Sequence, residues 1–304
     1  MRQHNTRHAA GFTLVELIIV IVLIGIVAAI TTAFIARPIE GYVDLTRRAA
    51  LVDSAESALR RMARDIRIAL PNSVRRINSP GGIPGFALEL IPTVDGGRYD
   101  ATSANPCAML TFGSPDAEFD IRGAFSTLVP PISSTAYRLV INNPDATPTG
   151  NNAYTGTGGV ITPAATTVTI TRPATAAACA GDPNGDHINL SPAFTFGSGS
   201  LRQRLFVIAS AEAPVTYLCN ETAQTLTRYW GYTITADQTT VDTDVELVGA
   251  GATKARVADY VSTCSVTSAT TDVQASGLVT LDISLADQGE TIRLIHQVQL
   301  DNSR

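Results

Sequence analysis

The sequence predicts an α+β protein in which one long N-terminal helix, apolar in its first half and amphipathic in its second, packs on an antiparallel β-sheet domain with long loops. Three observations carry that reading. From Leu17 to Ile30 every residue is apolar or glycine. After Pro38, apolar residues recur at three- to four-residue steps as far as Leu70. Beyond Pro71 the helical period is lost, and short apolar runs stand between clusters of Gly, Pro, Asn and Asp, the pattern of strands and turns.

The composition supports a folded, exported chain. Of 304 residues, 45% are hydrophobic and only 16% charged, against roughly 25% charged in an average soluble domain. Charge is unevenly placed: residues 37–76 hold nine Arg against five acids, whereas residues 77–304 hold eleven basic against twenty-one acidic groups. An acidic bulk lacks the positive field that phosphate recognition needs, so no nucleic-acid partner is expected.

Taken in order, residues 1–11 form a short polar leader with Arg2, His4, Arg7 and His8 and no acid. Such a flank stays cytoplasmic and sends the following chain outward. Residues 12–36 are long enough, at roughly 1.5 Å per residue, to cross about 30 Å of hydrocarbon. A cleaved secretory signal fits poorly, because no small-residue cleavage site follows the run; it leads instead into Arg37-Pro38. Residues 37–70 read as an amphipathic helix with a stripe of Val43, Leu51, Ala55, Leu59, Met62, Ile66 and Leu70. Arg47, Arg48, Arg60, Arg61, Arg64 and Arg67 share the remaining surface with Asp53, Glu56 and Asp65. Pro38 is expected to kink or open the helix and Pro71 to end it after Leu70.

Residues 71–304 form the β-rich domain. Strands are expected at Phe86–Ile91, Tyr137–Ile141, Val168–Thr171, Leu205–Ile208 and Val215–Leu218. A terminal hairpin is expected from Leu278–Leu285 and Ile292–Leu300 about the turn Ala286–Gly289. The Thr-, Ala-, Gly- and Asn-rich stretch near 142–185 reads as a surface loop or small subdomain, too polar for core.

Four cysteines, Cys107, Cys179, Cys219 and Cys264, all fall in this domain, and an even count in an oxidising compartment argues for two disulfides. The sequence leaves three pairings open; Cys219 with Cys264 and Cys107 with Cys179 is preferred because it avoids crossed loops. A cysteine metal site is not expected, since no CxxC occurs and the exported histidines are His187 and His296 alone. His296, inside the terminal strand, reads as structural. No Gly-x-Ser-x-Gly elbow is present, and Gly197-Ser-Gly-Ser reads as a loop. The acid runs Asp116-Ala-Glu118-Phe-Asp120 and Asp242-Thr-Asp244-Val-Glu246 could supply paired carboxylates, but nothing in the sequence brings an acid partner to either. No enzyme is expected.

The junction Ala10-Gly11-Phe12-Thr13-Leu14-Val15-Glu16-Leu17, after a basic leader and before the apolar run, resembles the N-terminus of type IV prepilins and type II secretion pseudopilins. The resemblance implies a pilin-like fold, cleavage between Gly11 and Phe12 by a prepilin peptidase, and N-methylation of the new amine of Phe12. It further implies that Glu16 sets register in assembly. A carboxylate in a bilayer costs about 2.5–3.5 kcal/mol on insertion scales, and in the family this cost is offset by pairing with the cationic N-terminus of a neighbouring subunit. The other reading of Glu16 is an interfacial side chain that snorkels to headgroups. Partners implied are other major and minor pilins or pseudopilins and the inner-membrane assembly platform. The implied location is a single inner-membrane pass with a periplasmic domain, then the pilus tip.

No cofactor is expected. Asp182-Pro-Asn184-Gly-Asp186 starts like an EF-hand loop, but His187 and Ala193 occupy the positions of the Gly and the bidentate Glu, so it reads as a tight turn. The resemblance to pseudopilins, in which calcium is known, keeps calcium as a candidate there.

The stretches Leu45–Arg67, Pro214–Cys219, Leu226–Tyr232, Val261–Cys264 and Ile295–Asn302 resemble MSHA biogenesis proteins of the MshO type. That likeness implies a minor pilin acting in pilus initiation and surface attachment. J-type pseudopilins of type II secretion share the plan of long helix and larger β domain. A second class of function is an uncleaved membrane-anchored periplasmic binding protein, which would tolerate Gly11→Ala and Glu16→Ala.

Overall fold

A computed structural model describes residues 11–103, 105, 107–172, 185–268 and 277–300, with backbone alone at 32, 33 and 35–40. The chain divides into two compact units, Met1–Ala50 and Leu51–Arg304. An N-terminal apolar helix is followed by a large antiparallel β domain, an α+β architecture.

Helix α1 (Leu14–Arg67) is one element through Pro38, where the sequence predicts a kink or opening. Proline deletes one backbone donor, and the helix continues on either side of that loss. Within the second unit, Leu51, Ala55, Ala58, Leu59, Met62, Ala63 and Ile66 are buried, a stripe at helical spacing. Val43, assigned by its spacing to that stripe, is exposed. Asp65, assigned to the charged surface, is buried. The helix stops at Arg67 rather than Leu70 because neighbouring chain captures its last turn. The carbonyl of Ile68 accepts the backbone N–H and hydroxyl of Thr93, and the N–H of Leu70 donates to the carbonyl of Ile91 at 2.7 Å.

Among the described residues fifteen strands follow: β1 (Arg75–Asn78), β2 (Gly85–Leu90), β3 (Asp95–Arg98), β4 (Asp116–Ile121), β5 (Ile132–Ser134), β6 (Tyr137–Ile141), β7 (Thr167–Thr171), β8 (Asp186–Phe194), β9 (Arg204–Ala209), β10 (Val215–Asn220), β11 (Thr225–Trp230), β12 (Thr253–Asp259), β13 (Val261–Ser268), β14 (Leu278–Asp287) and β15 (Glu290–Gln299). They form an antiparallel five-stranded sheet β1-β2-β10-β11-β12, a three-stranded sheet β13-β14-β15, a second three-stranded sheet β3-β9-β6 and a four-stranded sheet β4-β8-β7-β5. A short helix α2 (Asp244–Gly249) is closed by a capping box of Thr243 and Glu246.

Two cores result. The buried stripe of α1 packs with Phe86, Leu88, Val215 and Tyr217 of the five-stranded sheet and with Val279, Leu281, Ile283 and Val298 of the first three-stranded sheet. The second core contains no helix: Phe119, Ile121, Ile170 and Ile188 of the four-stranded sheet face Leu139, Leu205 and Val207 of the second three-stranded sheet. The stretch expected to be too polar for core contributes to a third cluster through Ala146, Ala153, Tyr154, Val160 and Ile161. Its polar groups are hydrogen-bonded inside. Asn152 is buried, its amide donates to Asp145 and to the carbonyl of Thr147, and its Oδ1 accepts the N–H groups of Tyr154 and Thr155, which removes the cost of hiding them.

The terminal hairpin is tighter than its sequence suggests. Pairing runs to Asp287↔Glu290, leaving Gln288 and Gly289 as a two-residue loop with φ of 46° and 92°, the positive pair that matches strand twist.

Candidate functional site

Gly11, Phe12 and Thr13 lead into α1, and Thr13 caps it. The Thr13 hydroxyl accepts the N–H of Glu16 at 3.3 Å and its carbonyl accepts that of Leu17 at 3.2 Å, closing the first turn as an N-cap should. Thr13 and Glu16 stand at capping-box spacing, and a carboxylate there also faces the positive end of the helix. Glu16 has no ion-pair partner among the described residues.

The stretch Leu14–Thr31 is long and apolar enough to cross a membrane, and none of it is buried. Phe12 is 81% exposed. At Gly11 an added Cβ would meet nothing within 4 Å, so the fold itself makes no demand for glycine there. A segment this apolar, unburied and headed by a single carboxylate has its requirements outside the folded monomer.

Residues 6–32 match the family model for the prokaryotic N-terminal methylation motif. The chain carries a prepilin-type N-terminus. The motif indicates a pilin or pseudopilin, processed by a prepilin peptidase and assembled with other pilins, and with the apolar helix it fits a membrane-anchored protein. No curated protein and no solved structure matches the chain.

The remaining candidates lie in the β domain. Cys219 on β10 and Cys264 on β13 form a disulfide that ties the five-stranded sheet to the first three-stranded sheet. Cys107 is also disulfide-bonded; Cys179, the partner expected for it, lies outside the described residues. Asp182 and Asn184 of the calcium candidate lie outside them too. Asp186 is occupied, accepting from Arg172 Nε at 2.6 Å and from the N–H of Phe125 at 2.7 Å. Among the described residues no group of three or more His, Cys, Asp or Glu is placed to hold a metal ion.

Each acid run meets a neighbour that sequence did not reveal. His187 pairs with Asp120 across the β4–β8 register, its Nδ1 2.7 Å from the carboxylate, and its Nε2 lies 3.5 Å from Glu118. Both His187 and Asp120 are buried. In the second run, burial and the Glu246 carboxylate push the Asp242 carboxyl up from 3.8 to about 6. Glu246 is held below its usual range by the Thr243 hydroxyl. Asp244 of the same run accepts from Lys254 Nζ at 2.7 Å and from the Tyr229 hydroxyl, and both runs read as structural ion-pair and hydrogen-bond networks.

The helix–sheet contact centres on Asp65. Its Oδ2 accepts from the Tyr217 hydroxyl and from Arg228 Nε, each at 2.8 Å. Alternating strands place Tyr217 and Arg228 on the sheet face that meets α1. An acid within the apolar stripe, one position from Ile66, is the only signal that the sequence offers for this contact.

Proposed function

We propose that the chain is a minor pilin of an MSHA-type pilus, of the MshO type, acting in initiation of pilus assembly and in surface attachment. The observation that carries this reading is the prepilin-type motif over residues 6–32 joined to an apolar helix that the fold leaves wholly unburied. In this reading the peptidase cuts between Gly11 and Phe12 on the cytoplasmic side. Open space about Gly11 supports that role: with no packing reason for glycine, the remaining demand is access of a protease to an unencumbered backbone.

The new amine of Phe12 is then methylated and stays cationic. Glu16 pairs with the corresponding amine of a neighbouring subunit, offsetting the cost of a carboxylate in lipid and setting axial register. The helix first anchors the subunit in the inner membrane with its β domain in the periplasm, and afterwards joins the filament core. The Arg60, Arg61, Arg64 and Arg67 face of α1 is exposed and offers cations to acidic faces of adjoining subunits. The resemblance of Leu45–Arg67 and the β-domain stretches to MSHA biogenesis proteins supports a pilus over a secretion pseudopilus.

The test is intact mass and N-terminal sequencing of the membrane-extracted protein from cells with and without the prepilin peptidase. The expected product starts at N-methylated Phe12, is absent without the peptidase, and is absent from Gly11→Ala. A chain keeping residues 1–11 in both strains would overturn the proposal.

A further inference from the structure

Each of the four sheets ends in two edge strands. An edge presents a row of unpaired backbone groups, which native proteins blunt with short strands, bulges, charges or covering chain. Among the described residues all but one of these edges are blunted. β1, β3 and β5 have four residues or fewer. β4 and β6 are covered: the Asp120 N–H donates to the carbonyl of Ala108, and the Ile141 N–H to that of Val160. β12 carries Lys254 and Arg256 and a bulge in its pairing. β13 is bulged and capped, its Cys264 N–H donating to Glu221 at 2.8 Å and its Val261 N–H to the carbonyl of Gln224.

The exception is β15, which runs for ten residues without proline or bulge. Its phase follows from the hairpin. A two-residue loop makes Asp287 and Glu290 a hydrogen-bonded pair, and such pairs recur at alternate positions. Ile292, Leu294, His296 and Val298 therefore bond to β14, and the Leu300 N–H continues the phase by donating to the carbonyl of Gly277 at 2.8 Å. The backbone groups of Thr291, Arg293, Ile295, Gln297 and Gln299 point away from β14, and none of them bonds a described residue. Arg293, the charge that would guard this edge, is neutralised by Asp282 of β14, its Nε 3.0 Å from the carboxylate.

We propose that β15 accepts an extended strand from a different protein chain, which adds antiparallel to its free edge. Main-chain pairing of this kind supplies affinity, and alternate side chains supply selection. The two faces of β15 are unlike: Ile292, Leu294 and Val298 belong to the α1 core or pack against it, whereas Thr291, Arg293 and Gln297 face the other way. The incoming strand therefore carries apolar residues at alternate positions, which lengthen that core, and polar residues between them. One further apolar residue covers Ile295, which stands 58% exposed on the polar face. Every strand pair described in the domain is antiparallel, and that pairing is the more stable per residue. A second copy fits poorly. Two β15 strands paired antiparallel are related by a two-fold axis normal to their sheet, which reverses any helix lying on it. The α1 segments from Leu51 to Arg67 would then run in opposite directions, against a common orientation in one membrane. This assignment holds whether the anchored chain serves a pilus or a secretion system.

The probe is a fluorescein-labelled peptide of the β14 sequence, Leu278–Asp287, which has the required alternation. It is titrated with full-length protein in detergent micelles and followed by anisotropy, and saturable binding is expected. At the free edge the peptide's Asp282 and Ser284 N–H groups face β15, so N-methylating both should weaken binding about thirtyfold, as two lost hydrogen bonds do. N-methylating Leu281 and Ile283 instead should leave binding unchanged. Within the fold those roles are reversed, because Leu281 and Ile283 of β14 bond to β15, so a peptide that merely replaces β14 gives the opposite order. Ile295→Pro should abolish binding and keep the thermal midpoint, since its N–H bonds nothing in the fold and proline is tolerated at such an edge position. The methylated peptides decide the matter even if that variant fails to fold. Absence of saturable binding, equal affinity of the two methylated peptides, the opposite order, or wild-type affinity in folded Ile295→Pro would overturn the proposal. Self-association of the protein that Ile295→Pro abolishes would overturn it too, by giving the edge to a second copy.

Discussion

Replacing Asp65 by alanine should be among the most destabilising single changes outside the apolar core. The carboxylate accepts from Tyr217 and Arg228 at 2.8 Å each, and the side chains of Asp65 and Arg228 keep only 12% and 13% of their surface exposed. Burial and the Asp65 carboxylate both push the Tyr217 hydroxyl up, so it remains a donor at any physiological pH. Removing one partner of a buried pair costs about 3–5 kcal/mol, because the other charge is left uncompensated. The orphaned hydroxyl belongs to the same network and is not added separately. The partial exposure of Arg228 points to the lower half of that range, about 3–4 kcal/mol, or roughly 6–16 °C in the thermal midpoint for a unit of this size. Asp65→Asn, which keeps an acceptor, should lose about half as much. Replacing the trio by Leu, Phe and Met should come within about 2 kcal/mol of the parent, since a well-packed apolar substitute avoids the desolvation cost. The assay is urea unfolding of the full chain in detergent. It is followed by Trp230, the sole tryptophan, which packs against the α1 core and lies 5.0 Å from the Arg228 guanidinium. A loss below about 1 kcal/mol for Asp65→Ala would refute the argument that this network locks the helix to the sheet.

Three further outcomes are expected. Breaking the Cys219–Cys264 bridge by Cys264→Ser should cost about 4 kcal/mol on the loop-entropy model for its separation of 45 residues, read as a lower urea midpoint that added reductant does not lower further at this site. The raised Asp242 carboxyl binds its proton more tightly folded than unfolded, so its stabilising contribution is present below pH 3.8 and declines as pH rises through about 6. Asp242→Asn should flatten that slope in a pH series of unfolding midpoints, and an unchanged slope would contradict the assignment. Glu16→Ala should be processed normally yet enter sheared filaments roughly a hundredfold less well, the factor matching about 3 kcal/mol for a broken desolvated pair; normal incorporation would remove Glu16 from the register role.

Among the strands missed in sequence, β1, β3, β4 and β8 carry charges at positions that turn out to be inside: Arg75, Asp95, Asp120 and Asp186. A polar residue at a core position breaks the apolar alternation that marks a strand. Its partner stands on a different segment, out of sight of any local pattern: Glu89 on β2 for Arg75, and Arg172 at the end of β7 for Asp186, each 14 residues away. The same holds for Asn152, whose buried hydrogen bonds turn a stretch of low apolar content into core.

The N-terminal region was legible because its physics is local. An apolar run of membrane length, a basic leader without acids, a glycine before an aromatic and one carboxylate at the head of a helix are all read along the chain, and the motif match over residues 6–32 rests on the same residues. Membrane insertion and proteolytic recognition act on linear segments, so linear information suffices. Where the helix ends, why Asp65 faces inward and which carboxylate meets His187 were decided by strand register and sheet packing. Those choices depend on partners 25 to 163 positions away and on the desolvation of each charge beside them, and that quantity does not exist until the sheets have formed.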